Sequence, residues 1–196
     1  MKIGIFGGSF DPIHVAHLLL AQKAAEQYKL DQVHFVVAYF PPHRSAKSLT
    51  NGKLRLELVQ RAVEGNPLFV ADDRELRRAG TSYTLDTLES FGKEDELFFL
   101  LGADSLFAFE FWYEPAEILK RATILVGSRP PHRHEDVEKQ AQRLMEKFGG
   151  RIEVFNFPWL NISSTSVREE IQSGGSARYQ LTEPVRALIE ERGMYR

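Results

Sequence analysis

Residues 2–17 read KIGIFGGSFDPIHVAH, and this segment indicates the fold class of the chain. The first six residues are mostly apolar and predict a β-strand over residues 2–7, which runs straight into a glycine pair. An apolar pattern with helical spacing follows and predicts a helix over residues 14–28. A strand, a tight glycine turn and a helix in direct succession begin a βαβ unit, so the sequence indicates an α/β protein.

The rest of the chain repeats this alternation of short apolar runs and helical patterns. Strands are predicted at residues 2–7, 33–39, 68–71, 96–102, 122–127 and 152–156. Helices are predicted near residues 14–28, 53–64, 83–91, 115–120, 135–148, 164–173 and 183–192. The runs VHFVV and LFFLL are apolar without alternation, as expected for central strands that are covered on both faces. We therefore expect a single domain, residues 1–196, with a Rossmann-like doubly wound, mostly parallel sheet, flanking helices and two C-terminal helices.

Composition excludes several classes of function. The chain has no cysteine, which excludes disulfides, thiolate catalysis and cysteine-built zinc or iron–sulfur sites. Its net charge is −2 and its basic residues are scattered, which argues against duplex nucleic acid as a partner. No apolar run reaches the roughly 20 residues that span a bilayer. The N-terminus lacks the apolar core and the cleavage site of a secretory signal. The absence of cysteine leads us to expect a cytoplasmic location.

The first loop, GGSFDPIHVAH at residues 7–17, carries the strongest functional signal. In open α/β sheets ligands bind beyond the carboxyl ends of the strands. Gly7 and Gly8 would let backbone N–H groups approach phosphate oxygens closely. His14 and His17 are three residues apart, which on a helix places both imidazoles on one face, where they can donate to a phosphate. Two unrelated histidines are the alternative, but strand, glycine turn, helix start and spacing all coincide here.

The last loop, NISSTSVR at residues 161–168, again lies between a predicted strand and a predicted helix. Ser163 or Ser164 is expected to cap the helix, and Arg168 lies about one turn beyond the cap. A guanidinium at that place can hold a leaving pyrophosphate through charge-assisted hydrogen bonds. Taken alone, such a segment is more typical of a purely structural cap, so its functional weight comes from the pairing with the first loop.

Both loops resemble motifs of the nucleotidyltransferase superfamily. GGSFDPIHVAH resembles the signature usually written H-x-G-H, in which the two histidines contact ATP phosphates, although Ala16 stands at the glycine position. The second motif, I-S-S-T-x-x-R, serves the β- and γ-phosphates and is matched without a gap. The resemblance implies that His14, His17 and Arg168 are catalytic. It also implies ATP binding by Gly7, Gly8, Ser9, Phe10, His14, His17, Ile162, Ser163, Ser164, Thr165 and Arg168.

Further segments resemble the bacterial nicotinate-nucleotide adenylyltransferase family over nearly the whole chain. The resemblance implies that Thr84 contacts a pyridine carboxylate and that Trp112 stacks on the pyridine, with the Tyr113 backbone assisting. For Thr84 the alternative is a helix cap, and for the aromatic run at residues 109–113 it is core packing.

Five more positions follow from the same resemblance. His43 and Arg44 would hold phosphates, or belong to a solvated loop, and Arg129 would lie near the substrate phosphate or be an exposed charge in the loop predicted at residues 129–134. Gly102 and Asp104 are assigned to the nucleotide, because a carboxylate at the end of a strand accepts hydrogen bonds from ribose hydroxyls.

The implied reaction joins the AMP part of ATP to nicotinate mononucleotide, giving deamido-NAD (nicotinate adenine dinucleotide) and pyrophosphate in NAD biosynthesis. We expect Mg²⁺ to arrive bound mainly to ATP and water, with no protein-built metal site. The alternatives are the same chemistry on nicotinamide mononucleotide, phosphopantetheine or a phospho-sugar, and a non-catalytic ATP-sensing module. No nucleic acid or membrane partner is expected, and a homo-oligomer stays open.

Overall fold

Six parallel strands form the centre of the molecule. The computed structural model describes residues 1–42, 49–128, 132–158 and 160–196. The strands are β1 (Lys2–Gly8), β2 (Gln32–Val37), β3 (Phe69–Asp72), β4 (Glu96–Gly102), β5 (Ala122–Ser128) and β6 (Ile152–Asn156). Their order in the sheet is β3-β2-β1-β4-β5-β6, and every neighbouring pair is parallel. The predicted doubly wound sheet is confirmed.

The strand order reverses between β1 and β4, which lie side by side. The chain builds outward from β1 through β2 to β3, returns to β4, and then builds outward in the other direction. Connections after β1 and after β4 therefore leave the sheet on opposite faces and open a crevice between them. The first loop of the sequence lies at this crevice.

Helices cover both faces of the sheet. In chain order they are α1 (Val15–Tyr28), α2 (Gly52–Val63), α3 (Arg74–Arg78), α4 (Thr84–Glu89), α5 (Ala103–Ala108), α6 (Pro115–Arg121), α7 (His134–Phe148), α8 (Ser164–Gln172) and α9 (Glu183–Glu191), with a 3₁₀ turn at Phe109–Phe111. The seven predicted helices are all present. The sequence did not predict α3 and α5, which have five and six residues and are too short to show a helical period.

Two apolar layers enclose the sheet, and β4 shows how one strand serves both. Phe98 and Leu100 belong to the layer that also contains side chains of α1, α2 and α9. Leu97, Phe99 and Leu101 belong to the layer beneath α6 and α7. Successive strand residues face opposite sides of a sheet, so a strand buried on both sides is apolar at every position.

The end of the chain packs against its beginning. Helix α9 contributes Val185, Leu188 and Ile189 to the same core layer as α1 and α2. The backbone N–H of Val15, at the start of α1, donates to the carbonyl of Gln180 over 3.0 Å. The C-terminal segment thereby supports the helix that follows the first loop.

Three further predictions stand as follows. None of the helices in the described ranges is long and apolar enough to cross a membrane. The single-domain organisation stays a prediction. Of the loop predicted at residues 129–134, residues 129–131 lie outside the described residues, and α7 already begins at His134, so the loop prediction is wrong at its last residue.

Candidate active site

The first loop brings the two histidines of its motif together. His14 has an extended backbone (φ −142°, ψ 170°) and precedes α1, whereas His17 lies in the first turn of that helix. Their rings stack with centroids 3.6 Å apart and planes inclined by 22°. The two imidazoles thus share one location, as the spacing predicts. The prediction that both lie on the helix is wrong for His14, because helical geometry begins only at Val15.

His17 is held in one orientation by its neighbours. The backbone N–H of His14 donates to Nδ1 of His17 over 3.2 Å. The ring also meets Phe6 and Phe10 edge to face, at centroid distances of 5.7 and 5.3 Å. Because Nδ1 accepts a hydrogen bond, the neutral imidazole carries its proton on Nε2. His17 therefore offers an oriented N–H donor, which is what a phosphate oxygen requires.

Asp11 fixes the middle of the first loop from inside the protein. Its side chain is buried, with 1% of the residue exposed. The backbone N–H of Thr50 donates to Oδ2 over 3.2 Å, and the hydroxyl of Tyr195 donates to Oδ1 over 2.6 Å. Burial, together with this bond to Asp11, raises the pKa of Tyr195, so its hydroxyl stays protonated and continues to donate.

A buried arginine holds the same loop from beneath. Arg55 on α2 is 1% exposed and donates to three backbone carbonyls. The acceptors are the carbonyls of Ser9 at 2.7 Å, Ala38 at 2.8 Å and Thr50 at 2.8 Å. One guanidinium therefore ties together the loop after β1 and the segment that connects β2 to α2. Its planar, multi-donor shape suits this task better than a lysine would.

The second motif lies directly on the first. Ser163 caps α8 by accepting from the backbone N–H of Ser166 over 3.0 Å. The next residue, Ser164, donates from Oγ to the carbonyl of Pro12 over 2.9 Å. Arg168 donates from Nη1 to the carbonyl of Asp11 over 2.7 Å. Two side chains of the last motif thus bind adjacent carbonyls of the first, and the two motifs form one structure.

The remaining residues of the second motif differ in their surroundings. Ile162 is half-buried and packs against the core layer of α1 and α9. Thr165 is exposed, and its Oγ1 accepts from Nη2 of Arg168 over 3.4 Å. The motif therefore combines an apolar anchor with polar groups at the surface of the crevice.

A cavity of about 550 Å³ opens beside the first loop. Its volume lies within the range of ordinary small-molecule sites. Six of the predicted site residues line it: Gly7, Gly8, Ser9, Thr84, Trp112 and Tyr113. The glycine turn predicted to bind phosphate and the residues predicted to bind a pyridine therefore face one space. Neither the two histidines nor Arg168 and Asp104 belong to its lining.

The aromatic run at residues 109–113 divides between core and cavity. Phe109 is fully buried, so the core-packing interpretation applies to it. Trp112 is half-buried and packs against Phe109 and Phe99, with ring centroids at 5.3 and 6.2 Å. Phe111 is 77% exposed. Trp112 is thereby supported by the core while it lines the cavity.

Thr84 begins helix α4 and lines the same cavity. The cap position belongs to Tyr83, which makes no side-chain capping bond, so the capping interpretation of Thr84 is wrong. The Tyr83 ring lies 4.8 Å from that of Tyr113. This contact joins the segment around Thr84 to the end of the aromatic run.

Asp104 lies at the carboxyl end of β4, one residue into α5. Its carboxylate is 63% exposed, and its Oδ1 lies 2.8 Å from Nε2 of His132. The His132 ring also lies against Phe107, tilted by 31° at a centroid distance of 4.6 Å. Gly102, the last residue of β4, precedes this exposed acidic group at the crevice.

Some predicted residues cannot be placed, and some important ones were not predicted. His43, Arg44 and Arg129 lie outside the described residues. Sequence reasoning missed Arg55 and Glu75, although Arg55 stands on the buried stripe of α2 at helical spacing from Leu58 and Val59. A charge on an apolar stripe is a usable signal. Within the described ranges no group of three or more His, Asp or Glu side chains is placed to hold a metal ion.

Comparisons with known proteins show which family the chain belongs to. The cytidylyltransferase-like family model matches residues 5–170. A Dictyoglomus thermophilum protein described as a probable nicotinate-nucleotide adenylyltransferase is 41% identical over 198 residues, covering 100% of both chains. A Lachnoclostridium phytofermentans protein with the same description is 36% identical over 197 residues, covering 99% of this chain and 98% of its own length.

The fold has a solved counterpart. The structure of Plasmodium falciparum nicotinic acid mononucleotide adenylyltransferase complexed with APC superposes with a TM-score of 0.78 over 99% of this chain and 96% of its own. Its sequence identity to this chain is 18%, so the likeness shows only that the two proteins share a fold. The match of the curated relatives from end to end goes further: this chain belongs to the nicotinate-nucleotide adenylyltransferase family.

Proposed function

We propose that this chain transfers the adenylyl group of ATP to the phosphate of nicotinate mononucleotide. The products are deamido-NAD and pyrophosphate, and the reaction is a step of NAD biosynthesis. One observation carries the proposal beyond family membership. Arg168 and Ser164 are bonded to the first loop at Asp11 and Pro12, next to the stacked histidines and beside the cavity.

ATP binds where the two motifs meet. His14 and His17 donate to its α- and β-phosphates, where negative charge grows as the bond to the leaving group breaks. Arg168, with the hydroxyls of the second motif, holds the pyrophosphate that leaves. Gly7, Gly8, Ser9 and Phe10 shape the turn beneath the phosphates. Gly102 and Asp104 receive the nucleoside, with the carboxylate accepting from ribose hydroxyls.

The reaction is a direct displacement. An oxygen of the acceptor phosphate attacks the α-phosphorus of ATP, and the bond from that phosphorus to the oxygen leading to the β-phosphate breaks. Both reactants are anionic, so the protein has to align them and offset their repulsion, and a covalent intermediate is unnecessary. Mg²⁺ that came bound to ATP and water would screen the triphosphate charge.

The acceptor lies in the cavity. Trp112 stacks on the pyridine ring of the acceptor. Contacts with Phe99 and Phe109 keep the Trp112 side chain in place. The hydroxyl of Thr84 and the backbone of Tyr113 bind the ring carboxylate. Donors in this place favour the nicotinate anion over the neutral nicotinamide.

Other parts of the proposal rest on the family resemblance. His43, Arg44 and Arg129 bind phosphate groups of the substrates. We further propose that the enzyme works in the cytoplasm on ATP and nicotinate mononucleotide, without a nucleic acid partner. Whether it forms a homo-oligomer is tested by its mass in solution.

A pyrophosphate-release assay tests the function. The purified chain is incubated with ATP, Mg²⁺ and one acceptor at a time. The acceptors are nicotinate mononucleotide, nicotinamide mononucleotide and phosphopantetheine. We expect the highest kcat/KM with nicotinate mononucleotide. Highest turnover with another acceptor would change the substrate, and ATP binding without pyrophosphate release with any acceptor would favour the ATP-sensing module.

A further inference from the structure

A buried carboxylate with no role in the proposed mechanism lines the acceptor cavity. Glu75 lies on α3, the short helix that follows β3, and is 6% exposed. It borders the same space as Thr84 and Trp112. An acidic side chain is an unexpected neighbour for an anionic acceptor, because like charges repel. Its position therefore calls for an explanation other than direct binding of the nicotinate group.

The hydrogen bonds of Glu75 supply that explanation. The hydroxyl of Thr87 donates to Oε1 of Glu75 over 2.5 Å. The hydroxyl of Ser82, which lines the same cavity, acts on this carboxylate as well, by favouring its ionised form. These two residues stand two positions before and three positions after Thr84. The carboxylate thus holds helix α4 one turn after the threonine that is proposed to contact the acceptor, and it acts on the hydroxyl of the segment just before that threonine.

Ser82 extends this contact to the neighbouring loop. Its Oγ accepts from the backbone N–H of Tyr39 over 2.9 Å and from that of Phe40 over 3.3 Å. The backbone N–H of Ser82 in turn donates to the carbonyl of Phe40 over 2.9 Å. The segment after β2 and the segment before α4 are fixed to each other at this point.

Opposing effects act on the pKa of Glu75. Burial raises the pKa of Glu75, while the bonds from Ser82 and Thr87 and the nearby Arg78 act in the opposite direction by favouring the ionised form. A carboxylate has two acceptor oxygens, so it can interact with two hydroxyl groups at once. An amide in its place keeps one carbonyl oxygen and replaces the other oxygen with an NH₂ group. That group is a poor neighbour for the hydroxyl of Ser82, whose oxygen already accepts two hydrogen bonds.

We propose that Glu75 is a positioning residue that sets the affinity for the acceptor by holding Ser82 and Thr87, and through them Thr84. The inference rests on the proposed function, because it assigns Thr84 to the acceptor carboxylate. Glu75 itself takes no part in the displacement at phosphorus. Its loss therefore changes binding of the mononucleotide and leaves the chemical step and ATP binding in place.

Steady-state kinetics of Glu75→Gln test the proposal. We expect KM for nicotinate mononucleotide to rise about tenfold, the scale of one lost hydrogen bond, with kcat and KM for ATP changed less than about twofold. The preference for nicotinate over nicotinamide mononucleotide should fall as well, since Thr84 reads the carboxylate. The control is Glu89→Gln, an exposed position on α4, which should change none of these quantities.

A second variant keeps the test decisive if Glu75→Gln does not fold. Thr87→Val keeps the shape of a buried side chain and removes one of the two donors, so KM for the mononucleotide should rise in the same way. When both single variants fold, their double variant should raise KM by less than the product of the single effects, because both break the same contact.

Three outcomes separate this inference from the proposed function. If the wild type turns over nicotinate mononucleotide and both variants keep its KM, Glu75 does not position the acceptor site. A fall in kcat together with a similar rise in KM for both substrates would also overturn the proposal, since it would show a general structural role. If the wild type does not use nicotinate mononucleotide at all, the proposed function fails and this inference falls with it.

Discussion

Arg168 donates a hydrogen bond of 2.7 Å from its Nη1 atom to the backbone carbonyl of Asp11, 157 residues earlier in the chain. Three residues beyond Asp11 is His14, whose ring stacks on that of His17. A cation from the last motif and two imidazoles from the first are therefore anchored to one short loop. The parallel sheet makes this meeting possible, because the loops after its strands all leave at the same edge.

The first prediction concerns the chemical step. Replacing His17 with alanine should lower kcat about a hundredfold, the usual effect of losing one donor to transition-state charge. The matched control is His134→Ala at the start of α7, which should keep wild-type turnover. Initial rates with saturating substrates, together with circular dichroism spectra, separate catalysis from folding. Unchanged kcat would remove His17 from the mechanism.

The second prediction concerns the acceptor. Trp112→Ala should raise KM for nicotinate mononucleotide about tenfold or more, because stacking of a base on an aromatic ring contributes about 1–3 kcal/mol. Trp112→Phe should recover most of the affinity, since it keeps a ring in the cavity. Fluorescence titration and steady-state kinetics measure both variants. An unchanged KM combined with a lower melting temperature would assign Trp112 to the core alone.

The third prediction concerns the support beneath the first loop. Arg55→Met should lower the free energy of unfolding by about 3 kcal/mol or more, since three carbonyls lose a charged donor. Arg61→Met is the control, because Arg61 is exposed in the last turn of the same helix. Urea unfolding of both variants gives the comparison. Equal stability of the two variants would mean that the loop does not depend on Arg55.

Features that depend on local sequence patterns could be predicted, whereas features that depend on contacts between distant parts of the chain could not. The strands were predictable because a strand buried on both faces is apolar throughout, as residues 97–101 are. The paired motifs were predictable because residue types and spacing carry their chemistry. The role of Arg55 was not, since its acceptors at Ser9, Ala38 and Thr50 meet only in the folded chain.

Local geometry limited the rest. The sequence predicts His14 on the helix, yet its backbone is extended and α1 begins one residue later, at Val15. Sequence patterns do not define the start of a helix to within one residue. Thr84 was weighed as a cap, but Tyr83 occupies that position. Glu75 was missed because α3 has only five residues and shows no apolar period that would mark a buried face.

The fourth prediction concerns acid stability and the end of β3. Burial alone would raise the pKa of Asp72, but hydrogen bonds from His34 and Arg74 outweigh it and hold the pKa well below its usual range. A folded-state pKa below the unfolded value stabilises the fold fully above about 3.8, the ordinary carboxyl value, and this contribution is lost as the pH falls further. Asp72→Asn should therefore be less stable than wild type near neutral pH.

The variant should also lose less stability on acidification. Urea unfolding at a series of pH values from about 7 down to about 3 gives the two slopes. The wild type should lose more stability than the variant over the acidic part of this range. Parallel curves for the two proteins would show that the pKa of Asp72 is not depressed by folding.

The most direct test is a crystal structure of the chain with a non-hydrolysable ATP analogue and Mg²⁺. We predict that the triphosphate lies at the carboxyl edge of β1, with His17 and Arg168 both within hydrogen-bond distance of its oxygens. A nucleotide bound elsewhere, or one whose phosphates meet only one of these two side chains, would contradict the claim that the first and last motifs form a single site.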